Sequence, residues 1–117
     1  MKERLEEMVD SLKDVEGIIG VAVFSKFGNV EDSFLPDWLD SKNLLELINS
    51  ILETLNETTK ELRRGKVIRT TIESSDGNVL IFLVGEEVLV VITEKEVSLK
   101  FLKGVHEKKS LEFKIEK

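Results

Sequence analysis

Two apolar runs set the tightest constraint on this chain. Val79 to Val84 reads VLIFLV and Val88 to Ile92 reads VLVVI, with Gly85, Glu86 and Glu87 between them. A strand with one wet face alternates apolar and polar residues. These runs do not alternate, so both of their faces need cover. The Gly85-Glu86 junction permits a tight reversal, which predicts two antiparallel neighbours at the centre of a sheet. The rest of the chain must supply that sheet's edges and a layer for each face.

The first layer is legible at the start. Leu5, Met8, Val9 and Leu12 recur at helical spacing within residues 2–14. Glu3, Glu6 and Glu7 stand in the first turns, where the helix dipole favours negative charge. The stripe is one-sided, so this helix is expected to lie on the sheet. A strand follows from Ile18 to Phe24. Gly20 and Ala22 share one of its faces and leave room for a helix backbone. Gly28-Asn29 marks a turn, and Val30 to Phe34 is a shorter, more polar strand near an edge, ended by Pro36.

The second layer is the segment DSKNLLELINSILETLNETTKELRRG. Asp40 or Ser41 can cap its start, and Gly65 supplies the expected stop. Leu44, Leu45, Leu47, Ile48, Ile51, Leu52, Leu55 and Leu62 fill an arc of roughly 160° on a helical wheel, wider than the roughly 100° that one packing surface needs. Either the helix has one broad core contact, or it meets its own sheet on one flank and a second body on the other.

Val67 to Glu73 reads as a strand, with Arg69, Thr71 and Glu73 on one face and Ile68, Thr70 and Ile72 on the other. SSDGN is a hairpin turn leading into the two apolar runs. Residues 95–109 are expected to form a last helix. Residues 110–117 form a tail in which Leu111, Phe113 and Ile115 alternate. The whole reads as an α/β (α+β) sandwich in the order helix-strand-strand-helix-strand-strand-strand-helix. Its five-stranded antiparallel sheet carries helices on its faces. With 117 residues and no visible linker or repeat, one domain over 1–109 is expected.

Composition narrows the chemistry. No cysteine is present, so thiolate metal sites and cysteine nucleophiles are excluded. The one histidine, His106, sits in a charged stretch and reads as a solvated or helix-end residue. The net charge of -6 has the wrong sign for broad nucleic-acid binding. No apolar run is long enough to span a membrane, and MKERLEEMVD lacks a signal core, so a cytoplasmic location is expected. GIIGVAVFSKFG lacks the spacing and strand-to-helix context of a dinucleotide fingerprint. Gly65-Lys66 is followed by Val67 rather than the hydroxyl residue of a phosphate loop. Asp32, Asp37 and Asp40 cluster near Pro36 but do not match a calcium loop, and read as solvated carboxylates. Asn56-Glu57-Thr58 matches a glycosylation acceptor but falls inside a helix. KELRRGK, residues 60–66, is either a helix-end cluster complementing carbonyls or a contact for a partner or phosphate. Trp38 either covers the end of the core beside Phe34 and Leu35 or is a binding residue.

The opening helix, then VEGIIGVAVFSKFGNV, then the long leucine-rich helix and three strands, resemble the Roadblock/LC7 family, a profilin-like fold. The matching positions are Val15, Gly17, Ile19, Gly20, Val21, Val23 and Gly28, and the likeness covers roughly residues 2–109. The chain departs from the family pattern at Phe27, where an acidic residue is common. It departs again at EVSLKFLK, where a glycine often opens the last helix. The resemblance implies a small homodimer, or a heterodimer with a related Roadblock/LC7 protein. Its interface would comprise Leu44, Leu47, Ile48, Ile51, Leu55 and Leu62 of the long helix with Val67, Arg69 and Thr71 of the third strand. It also implies a non-enzymatic scaffold or regulator without cofactor or metal, like dynein light chains or regulators of Ras-like small GTPases. Trp38, Arg63 and Arg64 are candidate partner contacts. The competing readings are a structural adaptor uncoupled from any GTPase, and a small-ligand sensor on a profilin-like or PAS-like sandwich. The sensor would need a pocket between sheet and helix.

Overall fold

The computed structural model describes residues 2–25 and 28–95 of the chain. Its elements are α1 (Lys2–Leu12), β1 (Ile18–Ser25), β2 (Val30–Phe34), α2 (Ser41–Glu61), β3 (Arg69–Ser74), β4 (Gly77–Val84) and β5 (Glu87–Glu94). The helix expected over residues 95–109 and the tail over 110–117 fall outside the described residues, except for Lys95 in a turn.

The two apolar runs take the position their composition demands. The sheet order is β2-β1-β5-β4-β3, with every pair antiparallel. β4 and β5 pair with Leu80 opposite Val91, Ile81 opposite Val90 and Phe82 opposite Leu89. Gly85 opens the two-residue reversal between them at φ 61, a conformation that costs glycine little. Residues alternate between two cores. On one face Val21, Val23, Leu80, Phe82, Leu89 and Val91 cluster with Val9 and Leu12 of α1. On the other, Ala22, Phe24, Ile81, Val88 and Val90 cluster with Leu44, Ile48 and Leu52 of α2. Apolar burial on both sides is the main favourable term holding the layers together.

Three local features depart from expectation. Gly20 admits a loop rather than a helix: a methyl group there would lie 3.0 Å from Leu35 Cδ2 and 3.4 Å from the Phe34 carbonyl. The β2–α2 connection therefore folds directly over β1. Gly65 does not stop α2. The helix ends at Glu61, and Arg63 takes the left-handed conformation at φ 56. The Arg63 amide donates to the Lys60 carbonyl at 3.0 Å, and the Arg64 amide to the Thr59 carbonyl at 2.7 Å. That pair of bonds is a Schellman closure, with arginine where glycine is usual. β3 begins at Arg69 rather than Val67, because the Val67 amide donates to the Asn56 side chain at 2.8 Å instead of to a neighbouring strand.

The start of α2 follows the sequence. Asp40 is its N-cap, in extended conformation, and its carboxylate accepts from the Asn43 amide at 3.3 Å. The sheet's buried polar pair, Asn78 and Thr93, is satisfied internally. The amide of Asn78 donates to Thr93 Oγ1 at 3.1 Å across the β4–β5 register.

Candidate functional site

α2 presents two different flanks. Leu44, Ile48 and Leu52 recur every fourth residue and point into the subunit's own core. Leu44 and Ile48 are 5% and 2% exposed, so these two do not belong to a free interface as the family resemblance implied. Ile51 is half-buried against the same core, and Leu55 is half-buried. Leu47 and Leu62 are 53% and 63% exposed. The arc is wide because it contains both a core stripe and an offset outer stripe, Leu47, Ile51, Leu55 and Leu62.

β3 adds to that outer surface. It stands at one end of the sheet, and five of its six residues are exposed. Arg69 opposes Phe82 and Thr71 opposes Leu80, which places both on the α1 side. Thr70 opposes Ile81 and Ile72 opposes Val79, on the α2 side. Ile72 is exposed, as is Ile68 just before the strand. Ile68 and Ile72 are not among the interface residues expected from the sequence. Their signal is the alternation Ile68-Thr70-Ile72, whose α2-facing side only the register identifies. Val67 is half-buried against the α2 core.

The two sheet edges differ. β2 is five residues long, is followed by Pro36, and contains Glu31 and Asp32. The Ser33 amide donates to the Asp32 carboxylate at 2.9 Å. Shortness, charge and local capping all discourage further strand pairing. β3 carries Thr70, Thr71 and Ile72, which favour strand pairing, and no strand among the described residues covers its outer side.

At the start of α2, Trp38 is 73% exposed, so it does not cover the core. It lines a surface cleft running from Ser33 to Ser41. At the other end of the helix, Asn56, Lys60, Arg63, Gly65 and Lys66 line a second cleft. Arg63 and Arg64 are both exposed. Thr59 braces this end, donating from Oγ1 to the Gly65 carbonyl at 2.6 Å. Neither cleft lies between the sheet and α2, where a profilin-like or PAS-like ligand would sit. Asp32 and Asp40 are engaged by backbone amides. Among the described residues no group of three or more His, Asp or Glu side chains is placed to hold a metal ion. Nor is any described helix long and apolar enough to cross a membrane. His106 falls outside the described residues.

An antiparallel five-stranded sheet thus lies between a short and a long helix, and no strand among the described residues covers its β3 edge. The chain belongs to the Roadblock/LC7 domain family, whose model matches residues 4–93. It is 30% identical over 95 residues to the uncharacterized protein MJ0310 of Methanocaldococcus jannaschii, covering 81% of this chain and 83% of that protein. The fold is similar to that of Myxococcus xanthus MglB, with a TM-score of 0.79 and 21% identity over 92% of this chain and 82% of that one. It is also similar to the gliding protein MglB from Thermus thermophilus, with a TM-score of 0.74 and 17% identity over 96% and 86% of the two chains.

Proposed function

We propose that the chain is a homodimeric regulator or scaffold that binds a Ras-like small GTPase and modulates its GTP hydrolysis. The observation that carries the dimer is the apolar surface that the described residues of one subunit leave exposed: Leu47 and Leu62 on α2, with Ile68 and Ile72 beside a β3 edge that no described strand covers. Exposed apolar groups next to an unpaired strand favour association, and a second copy satisfies both at once. In this dimer β3 pairs with its copy and the outer stripe of α2 packs on its copy. Val67, Arg69 and Thr71 flank the join.

Family membership supports the GTPase. A regulator of this kind needs no active site. It acts by binding the GTPase and orienting groups the GTPase already holds. Of the candidate partner contacts Trp38, Arg63 and Arg64, the proposed contact for the GTPase is Arg64, exposed beyond the C-terminal end of α2. A structural adaptor would use the same dimer surface and leave nucleotide turnover untouched.

The exposed positions make the cleaner test. With Leu47→Asp and Leu62→Asp combined, light scattering is expected to give a single 13.3 kDa chain where the unaltered protein gives twice that mass. A single-chain mass for the unaltered protein at high micromolar concentration would remove the dimer. Affinity capture from the native host then identifies the partner. A captured Ras-like GTPase whose GTP turnover changes on adding the chain supports the regulator, and unchanged turnover supports the adaptor.

A further inference from the structure

The two ends of α2 carry opposite charge. Between Glu31 and Asp40 stand four carboxylates and no Lys or Arg. Between Lys60 and Lys66 stand four cations and one carboxylate. Asp40 is committed to the helix cap. Asp37 and Trp38 are exposed and hold no hydrogen bond or ion pair among the described residues, and the same is true of the side chains of Lys60, Arg63, Arg64 and Lys66. Among the described residues of a chain of net charge -6, the densest cationic cluster thus has no ion-pair partner and is shaped as a cleft. The cleft is also fixed in position. Asn56 Oδ1 holds the Val67 amide, Thr59 holds the Gly65 carbonyl, and the Schellman bonds hold Arg63 in its left-handed conformation.

We infer that Trp38 and Asp37 of each subunit dock into the cationic cleft of Asn56, Lys60, Arg63 and Lys66 on a second copy of this chain. The inference rests on the proposed dimer and adds its register. A twofold axis that pairs β3 with its copy antiparallel also runs the two α2 helices antiparallel. α2 has 21 residues, about 30 Å of helix. An axis near its middle residue, Ile51, brings the segment preceding each helix opposite the segment following the other. The indole face meets a guanidinium or ammonium, a cation–π contact. The Asp37 carboxylate pairs with a second cation. The contact occurs twice, once at each end of the helical layer. A parallel arrangement would set acid against acid and base against base, so the charge pattern selects the antiparallel one.

Trp38 is the only tryptophan, and the chain has no tyrosine, so the fluorescence reports on the surroundings of this one side chain. Emission and acrylamide quenching are to be followed over rising protein concentration, with mass measured by sedimentation on the same samples. The expected result is that emission moves to the blue as the mass doubles, with quenching falling about twofold as the indole leaves water. A doubled mass with Trp38 still fully quenchable overturns the docking and leaves the dimer intact. A mass that never doubles overturns both. Lys60→Glu with Arg63→Glu is expected to weaken dimerisation about tenfold or more, and adding Asp37→Lys to restore part of it. Far-UV circular dichroism shows that the variants fold. If the double reversal leaves dimerisation unchanged, the cleft is not the docking site. Shielding of Trp38 that appears only when a different protein is added gives the surface to that protein and overturns the inference.

Discussion

At single residues, backbone geometry decides more than side-chain chemistry. Gly77 begins β4 where a methyl group would collide with the Thr93 carbonyl on the adjacent strand. Backbone cannot move aside there without loosening the Asn78–Thr93 pair. Gly77→Ala is therefore expected to lower stability by about 1–3 kcal/mol, the range for overpacking, as read by urea unfolding. Arg63 is the opposite case. It occupies φ 56, which costs a non-glycine residue about 1 kcal/mol or more. Arg63→Gly should raise the unfolding free energy by about 0.5–1 kcal/mol in urea titrations at protein concentrations low enough to dissociate the proposed dimer. The same change removes a cation from the cleft, so a fold gain with an association loss would show that function holds arginine there.

At the scale of elements, α2 is specified from both ends and divided along its length. Its N-cap is one residue, Asp40, whose carboxylate takes the Asn43 amide. Asp40→Ala should cost about 1 kcal/mol, measured as a lowered urea midpoint with unchanged slope. Sequence alone offers Asp40 or Ser41 and places the helix correctly. It misplaces the stop, since glycine is the usual left-handed residue and Gly65 stands two residues beyond the one actually used. It also passes over Asn56 as a sequence pattern inside a helix. Asn56 is the clamp that joins α2 to the segment leading into β3. An 11-residue separation gives no periodic signal, so no local rule could have found that bond.

At the scale of the whole molecule, the outstanding property is asymmetry between edges. β2 is short, acidic and capped by its own Asp32, whereas β3 is exposed, β-branched and flanked by exposed isoleucines. The proposed self-association through β3 would couple folding to concentration. The melting temperature is expected to rise with protein concentration for the unaltered chain, by mass action, and to be independent of it for Leu47→Asp with Leu62→Asp. Differential scanning calorimetry over a wide concentration range reads this directly. A flat response in the unaltered chain counts against the dimer.

By itself, the sequence determined the layers. VLIFLV and VLVVI are apolar on both faces, and residues so patterned have no stable place except the middle of a doubly covered sheet. One-sided helices before and between the strands were enough to supply the cover. The pattern also showed that α2 was broader than one contact requires. Which of its leucines were core and which were surplus was not legible, because a helical wheel records angle and not what stands opposite. Only the tertiary structure, by seating Leu44, Ile48 and Leu52 on Ala22, Ile81 and Val90, left Leu47 and Leu62 outside. The side of the sheet on which Ile68 and Ile72 emerge was likewise settled by strand register, which depends on residues distant in the chain.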